Sequence, residues 1–176
     1  KHLQFQRPAK RWVLKSPHNM EIPDLAKKYF GDVHYIWTYR DIRESLPSFL
    51  SMVAHSQTIF SDQVTMERVA AHWVRKTGYM LDKGIQFRKE HPGEKYTDVM
   101  YHQLVSSPLS VIDDIYRFGD PVTSDLRDRF MNTERSNEQY RYGRHRYKLD
   151  DFGVSTEAID DLVRMYNGFL NTLQKA

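Results

Sequence analysis

Two pairs of polar residues stand just past apolar, β-forming runs, where side chains can act on a bound anion. Lys15 and His18 fall in the turn Lys15-Ser16-Pro17-His18-Asn19, after the run Arg11-Trp12-Val13-Leu14. A lysine there is a compact point charge able to stabilise a transferring anionic group. A histidine, with an ordinary pKa near ~6.5, can take the proton of an attacking hydroxyl. Arg40 follows the second run, residues 33–39, and Ser48 comes eight positions later. Eight helical residues span ~12 Å, so a bend between them would bring a guanidinium fork and a hydroxyl to one phosphate. Plainer readings fit the same spacing: His18 as an ordinary loop histidine, Arg40 paired locally with Asp41 or Glu44, and Ser48 capping a helix or facing solvent.

Those residues need elements to position them. Residues 11–14 read as a short strand. Ile22, Leu25, Ala26 and Tyr29 recur at helical spacing over 22–30, with acids early and lysines late, and Gly31-Asp32 ends the helix. Residues 33–39 are β-branched and aromatic and read as a buried strand. The pattern predicts a βαβ unit with parallel strands and a right-handed crossover. Both candidate loops then lie at the carboxyl edge of the sheet, where open α/β sheets bind ligands. Helices are expected over 45–55, with Pro47 in the first turn, and over 63–91, where Gly78 and Gly84 weaken the helix or mark bends. Residues 95–101, KYTDVMY, read as a third strand ending on Tyr101. A tyrosine there can stack against a nucleobase, or simply close a buried strand end. Further helices are expected over 108–118, from Thr123 or Ser124 to about 137, and from the Ser155-Thr156-Glu157 cap onward, with Ile159, Leu162, Val163, Tyr166, Phe169 and Leu170 at helical spacing. The fold class is α/β, a mainly parallel sheet flanked by helices.

A second cluster lies in YRYGRHRY, residues 140–147, where Arg141, Arg144, His145 and Arg146 surround one glycine. Taken alone it is a basic-aromatic patch suited to single-stranded nucleic acid, or a surface loop whose arginines pair with nearby carboxylates. The patch is short, and Asp150-Asp151 follows at once. The 176 residues carry a net charge of +3, enough for an anionic ligand and too little to announce nucleic acid. The absence of cysteine excludes disulfides, thiolate chemistry and cysteine-zinc sites. No His/Asp/Glu spacing suggests a metal, and no apolar run approaches the ~20 residues of a membrane span.

Together these segments resemble the PAPS-dependent sulfotransferases of the bacterial type. That family has a Leu-Lys-Ser-Pro turn after one strand, here Leu14-Lys15-Ser16-Pro17. It has an Arg-Asp-Pro turn after the next strand and a serine eight positions beyond the arginine, here Arg40-Asp41 and Pro47-Ser48, with Ile42 in place of the proline. Its Tyr-x-x-Leu followed by proline matches Tyr101, Leu104 and Pro108, and its Gly-x-His-x-Tyr segment leading to Asp-Phe-Gly matches 143–153. The resemblance implies a fold related to the P-loop nucleotide kinases. It implies sulfuryl transfer from 3′-phosphoadenosine 5′-phosphosulfate (PAPS) to an acceptor hydroxyl or amine, with no metal required. Lys15 would stabilise the transferring group and His18 would act as base, although the family places its histidine where Asn19 stands. Arg40, Ser48, Arg141 and Arg144 would hold the 3′-phosphate, and Tyr101 would lie by the adenine.

No Gly-x-x-x-x-Gly-Lys or other glycine-rich phosphate loop is present; the eight glycines are scattered. The resemblance therefore implies one sulfotransferase-like domain over 1–176 that is the C-terminal part of a longer domain. The expected partner is a small-molecule, glycan or lipid acceptor, without nucleic acid or a membrane span, and the expected location is cytoplasmic. Two other functions fit the residues: a nucleotide-binding fragment without chemistry, and a single-stranded nucleic-acid module built on Tyr140–Lys148.

Overall fold

The computed structural model describes residues 5–6, 9, 11–136 and 147–174. The elements are α1 (Pro23–Phe30), β1 (His34–Tyr39), α2 (Ile42–Thr58), α3 (Met66–Glu90), β2 (Lys95–Met100), α4 (Tyr101–Ser106), α5 (Pro108–Tyr116), α6 (Ser124–Ser136) and α7 (Asp160–Leu173). Short 3-10 turns cover Pro17–Glu21, Leu149–Phe152 and Glu157–Ile159. The architecture is α/β, mainly helical around a parallel sheet.

Among the described residues the sheet has two strands, β1 and β2, paired in parallel from His34↔Lys95 to Tyr39↔Met100. A parallel pair needs a long crossover, and here α2 and α3 supply it. The run Arg11–Leu14 is not a strand, contrary to its β-forming composition. Val13 is 83% exposed, and β1 finds its ladder partner in β2. A strand exists through its ladder, and an apolar pattern by itself provides none. The parallel pair is therefore β1–α2–α3–β2, rather than the βαβ unit expected over 11–39.

Side-chain alternation assigns the two faces of the sheet. Tyr35, Trp37 and Tyr39 face α3 and α7: Tyr35 meets Phe87, while Trp37 and Tyr39 meet Phe169. On the other face Thr97 is buried toward α5, donating to the Asp114 carbonyl at 3.4 Å, and His34 meets Phe118 edge-on. The core lies on the first face, where Leu46, Leu50, Ala54, Val69, Ala70 and Ile85 join Ile159, Val163, Tyr166 and Phe169.

Three local rules locate these elements. Gly31 takes φ +72° to stop α1, a conformation open to glycine without strain. Asp41 caps α2, its Oδ1 accepting from the Arg43 N–H at 2.8 Å. The helix thus opens at Ile42 instead of Ser45, and Pro47 falls in its second turn, where it is among the most completely buried side chains. Helix α3 runs through Gly78 and Gly84 without interruption. At Gly84 a Cβ would stand 2.9 Å from Trp37 Cη2, so glycine is what lets β1 approach the helix.

Candidate functional site

The carboxyl ends of β1 and β2 bring together two residues sixty-one positions apart in sequence. Arg40 follows the last residue of β1, and Tyr101 follows the last residue of β2. The Arg40 guanidinium lies over the Tyr101 ring, 4.4 Å from its centroid. Tyr101 therefore opens α4 rather than closing a strand, which turns its ring toward the neighbouring strand's exit. A planar cation on an aromatic face is a favourable pair worth ~0.5–2 kcal/mol. It also presents a charge for an anion and a ring for a base side by side.

Arg40 reaches Glu44 as well, Nη2 to Oε2 at 3.4 Å, with both side chains substantially exposed. The local pairing that the spacing left open is thus formed with Glu44, while Asp41 is taken up by the cap of α2. Positions 44 and 48 are one helical turn apart, so Glu44 and Ser48 share a face of α2. Ser48 is exposed on that helix.

Behind Arg40 stands a polar network that sequence reasoning missed. Asp98, in the middle of β2, takes both guanidinium nitrogens of Arg88 and the Tyr39 hydroxyl, the last at 2.7 Å. Arg88 is also stacked over Tyr96 at 4.3 Å and lies near Trp37 and Phe169. Burial opposes the Arg88 charge, but the Asp98 carboxylate outweighs it and raises the guanidinium further. Burial first, and the bond to Asp98 second, push the Tyr39 hydroxyl far above the ordinary tyrosine range. The network ties β1, β2 and α3 together below the site. A carboxylate in the middle of a strand, between Thr97 and Val99, was the available signal, because a charge that is taken out of water demands a partner.

A second anchor comes from α7. The Tyr166 hydroxyl donates to the Arg40 carbonyl at 3.2 Å. Tyr166 is 6% exposed, and burial raises its hydroxyl's pKa.

Lys15 and His18 lie in the segment held on α3. Ser16 caps the 3-10 turn, its Oγ accepting from the His18 N–H at 3.3 Å and lying 3.4 Å from Nδ1. The His18 ring meets Trp73 edge-on at 6.2 Å. Asn19, in the slot where the family has histidine, donates to the Leu14 carbonyl. Glu21 closes the turn by accepting from Lys76 at 2.6 Å, and its other oxygen is buried without a hydrogen-bond partner among the described residues. Lys15 and His18 are both exposed. Arg141, Arg144 and most of the 140–148 patch lie outside the described residues.

Two cavities open elsewhere. One of about 220 Å³ lies between β2, α4 and α5, lined by Asp98, Gln103, Ser106, Ser107, Ser110 and Asp114. The other, about 480 Å³, lies at the α2–α3 connection beside Phe60, Arg68 and His72. Neither is lined by Arg40 or Tyr101. Among the described residues no group of three or more His, Cys, Asp or Glu converges as metal ligands do, and no helix is long and apolar enough to cross a membrane.

The family model described as "Sulfotransferase family" matches residues 2–125, most of the chain, with Lys15, His18, Arg40, Ser48 and Tyr101 inside the match. The chain belongs to the sulfotransferase family. Solved sulfotransferases have the same fold. Sulfotransferase STF9 from Mycobacterium avium superposes with a TM-score of 0.80 at 23% identity, over 97% of this chain and 43% of that one. Sulfotransferase STF1 from Mycobacterium tuberculosis H37Rv superposes with a TM-score of 0.72 at 25% identity, over 86% of this chain and 39% of that one. This sulfotransferase-family chain thus spans about two fifths of the length of the structures it matches. No curated protein sequence matches it.

Proposed function

We propose that the chain carries the donor-nucleotide site of a PAPS-dependent sulfotransferase and transfers a sulfuryl group to the hydroxyl or amine of an acceptor. The observation that carries the reading is the Arg40–Tyr101 pair at the carboxyl edge of adjacent parallel strands. The residues fit a phosphoadenosine group: a guanidinium fork suits a phosphate, and an adjoining aromatic face suits a purine. Arg40 and Ser48 would bind the 3′-phosphate, with Arg141 and Arg144 from the 140–147 segment, and Tyr101 would abut the adenine. Bound PAPS would supply the activated sulfuryl group. Lys15 would stabilise negative charge developing on the transferring group, and His18 would take the acceptor's proton. The reading needs no metal, and it places the reaction in the cytoplasm with a small-molecule, glycan or lipid acceptor.

Turnover tests it. The purified chain, incubated with PAPS and a panel of hydroxyl and amine acceptors, is expected to release adenosine 3′,5′-bisphosphate, and Lys15→Ala is expected to cut that release by ~10²-fold or more. A second reading rests on the missing glycine-rich phosphate loop: the chain binds the nucleotide without chemistry. Tight bisphosphate binding with no release from PAPS would favour it.

A further inference from the structure

We propose that Tyr166 is a positioning residue for nucleotide recognition, its hydroxyl holding the Arg40 backbone so that the guanidinium lies over Tyr101. The proposal rests on the reading of Arg40 and Tyr101 as nucleotide-binding residues. Arg40 stands between the last residue of β1, Tyr39, and the capping residue of α2, Asp41. It is past the last ladder pair, Tyr39↔Met100, and before the first residue of the helix. A contact from outside both elements therefore helps to decide where its side chain starts. Tyr166 makes such a contact from 126 residues away, at 3.2 Å.

Tyr166 is suited to the task. It shares the buried face of α7 with Val163 and Phe169 and lies 6.4 Å, ring to ring, from Tyr39. A phenol so enclosed cannot swing toward another acceptor without leaving its hydroxyl unpaired, which is unfavourable. Phenylalanine fills the same apolar space and removes only the tether. The tether then differs from ordinary packing in one respect: its loss reaches the phosphate through Arg40 and through nothing else.

A double-mutant cycle read by calorimetry separates the two roles. The variants are Tyr166→Phe, Arg40→Ala and the pair, titrated with adenosine 3′,5′-bisphosphate and with adenosine 5′-monophosphate. Val163→Ala serves as a packing control. Tyr166→Phe is expected to weaken bisphosphate binding about threefold to tenfold, the range of one hydrogen bond, and to leave monophosphate binding unchanged. In the Arg40→Ala background Tyr166→Phe is expected to have no further effect. Val163→Ala is expected to lower the melting temperature while preserving the preference for the bisphosphate. Equal loss for both nucleotides, loss that persists without the Arg40 side chain, or no loss at all overturns the proposal. If Arg40→Ala weakens binding and Tyr166→Phe does not, the positioning role alone falls. If Arg40→Ala binds like the wild type, the nucleotide site itself is misplaced and the proposal falls with it.

Discussion

The Arg40 guanidinium lies 4.4 Å from the centre of the Tyr101 ring, and each residue leaves one of two paired parallel strands at the same end. The pair sets a cation and an aromatic face side by side at the strand exits. Its geometry depends on the fork being planar. Arg40→Lys keeps the charge but loses both the stacking and the bidentate reach. It is expected to weaken adenosine 3′,5′-bisphosphate binding by about tenfold or more and to leave the melting temperature within about 2 °C. Parallel calorimetric and thermal titrations check both halves.

Glu44 competes for the same guanidinium at 3.4 Å. An incoming phosphate must displace this carboxylate or tolerate it. Glu44→Gln removes the competition and one negative charge from the face shared with Ser48. Exposed pairs of this kind are worth ~0.3–0.5 kcal/mol, so bisphosphate affinity is expected to rise about twofold. The gain should shrink in high salt, where surface charges are screened. A salt series of binding constants for the two proteins measures it.

Asp98 presents the opposite case, a mostly buried carboxylate holding a mostly buried arginine. Asp98→Ala would leave the Arg88 charge enclosed by Tyr96, Trp37 and Phe169 with no counter-ion. Removing one partner of a buried pair costs ~3–5 kcal/mol, and partial exposure of Asp98 puts the expected loss near the lower bound. Urea denaturation should show it as a lower midpoint with an unchanged slope.

His34 links stability to pH. Burial, followed by the charges of Lys95, Arg11 and Arg117, lowers its pKa below the ordinary value of 6.5. In the unfolded chain it takes up a proton near ~6.5, whereas in the folded protein it resists until a lower pH. The unfolded state therefore binds more protons in that window, so stability is complete above ~6.5 and falls as the pH drops toward the folded pKa. Melts between pH 5 and 8 should show this decline. His34→Gln, which can still hydrogen-bond to Thr97 across the 2.8 Å contact, should flatten it.

Gly84→Ala sets two effects against each other. Alanine gains ~1 kcal/mol of helix propensity in α3. The new Cβ would stand 2.9 Å from Trp37 Cη2, and Trp37 sits between α3 and Phe169. Overpacking at such a contact costs ~1–3 kcal/mol, so net destabilisation is expected. A melting temperature equal to or above that of the wild type would show that the ring yields.

Much of this was legible in the sequence, for local reasons. The aromatic and β-branched run before Arg40 became β1, KYTDVM became β2, and the Ile159–Phe169 periodicity became the buried Ile159 of the last 3-10 turn and the buried face of α7 that follows it. These patterns record which side chains avoid water, and burial followed. What failed was partnership. Arg11–Leu14 has a strand's composition, but a ladder cannot be read from one segment. Pro47 suggested a helix starting later than it does, because Asp41 was read as part of the turn after the strand and not as the cap of α2. The Arg40–Tyr101 contact joins residues sixty-one positions apart, and neither carries a local mark of the other. Tyr166 read as one more core residue in a periodic row, since periodicity places a ring and is silent about its hydroxyl. Asp98 offered a signal that went unused, a carboxylate in the middle of a strand.

The central claim is that Arg40 and Tyr101 hold a 3′-phosphorylated adenine nucleotide. A calorimetric titration of the chain with adenosine 3′,5′-bisphosphate, run beside Arg40→Ala and Tyr101→Ala, tests it most directly. The account predicts saturable binding to the wild type, a loss of about tenfold to a hundredfold in Arg40→Ala, and a smaller loss in Tyr101→Ala. No binding by the folded wild type, or binding that both variants leave untouched, would contradict it.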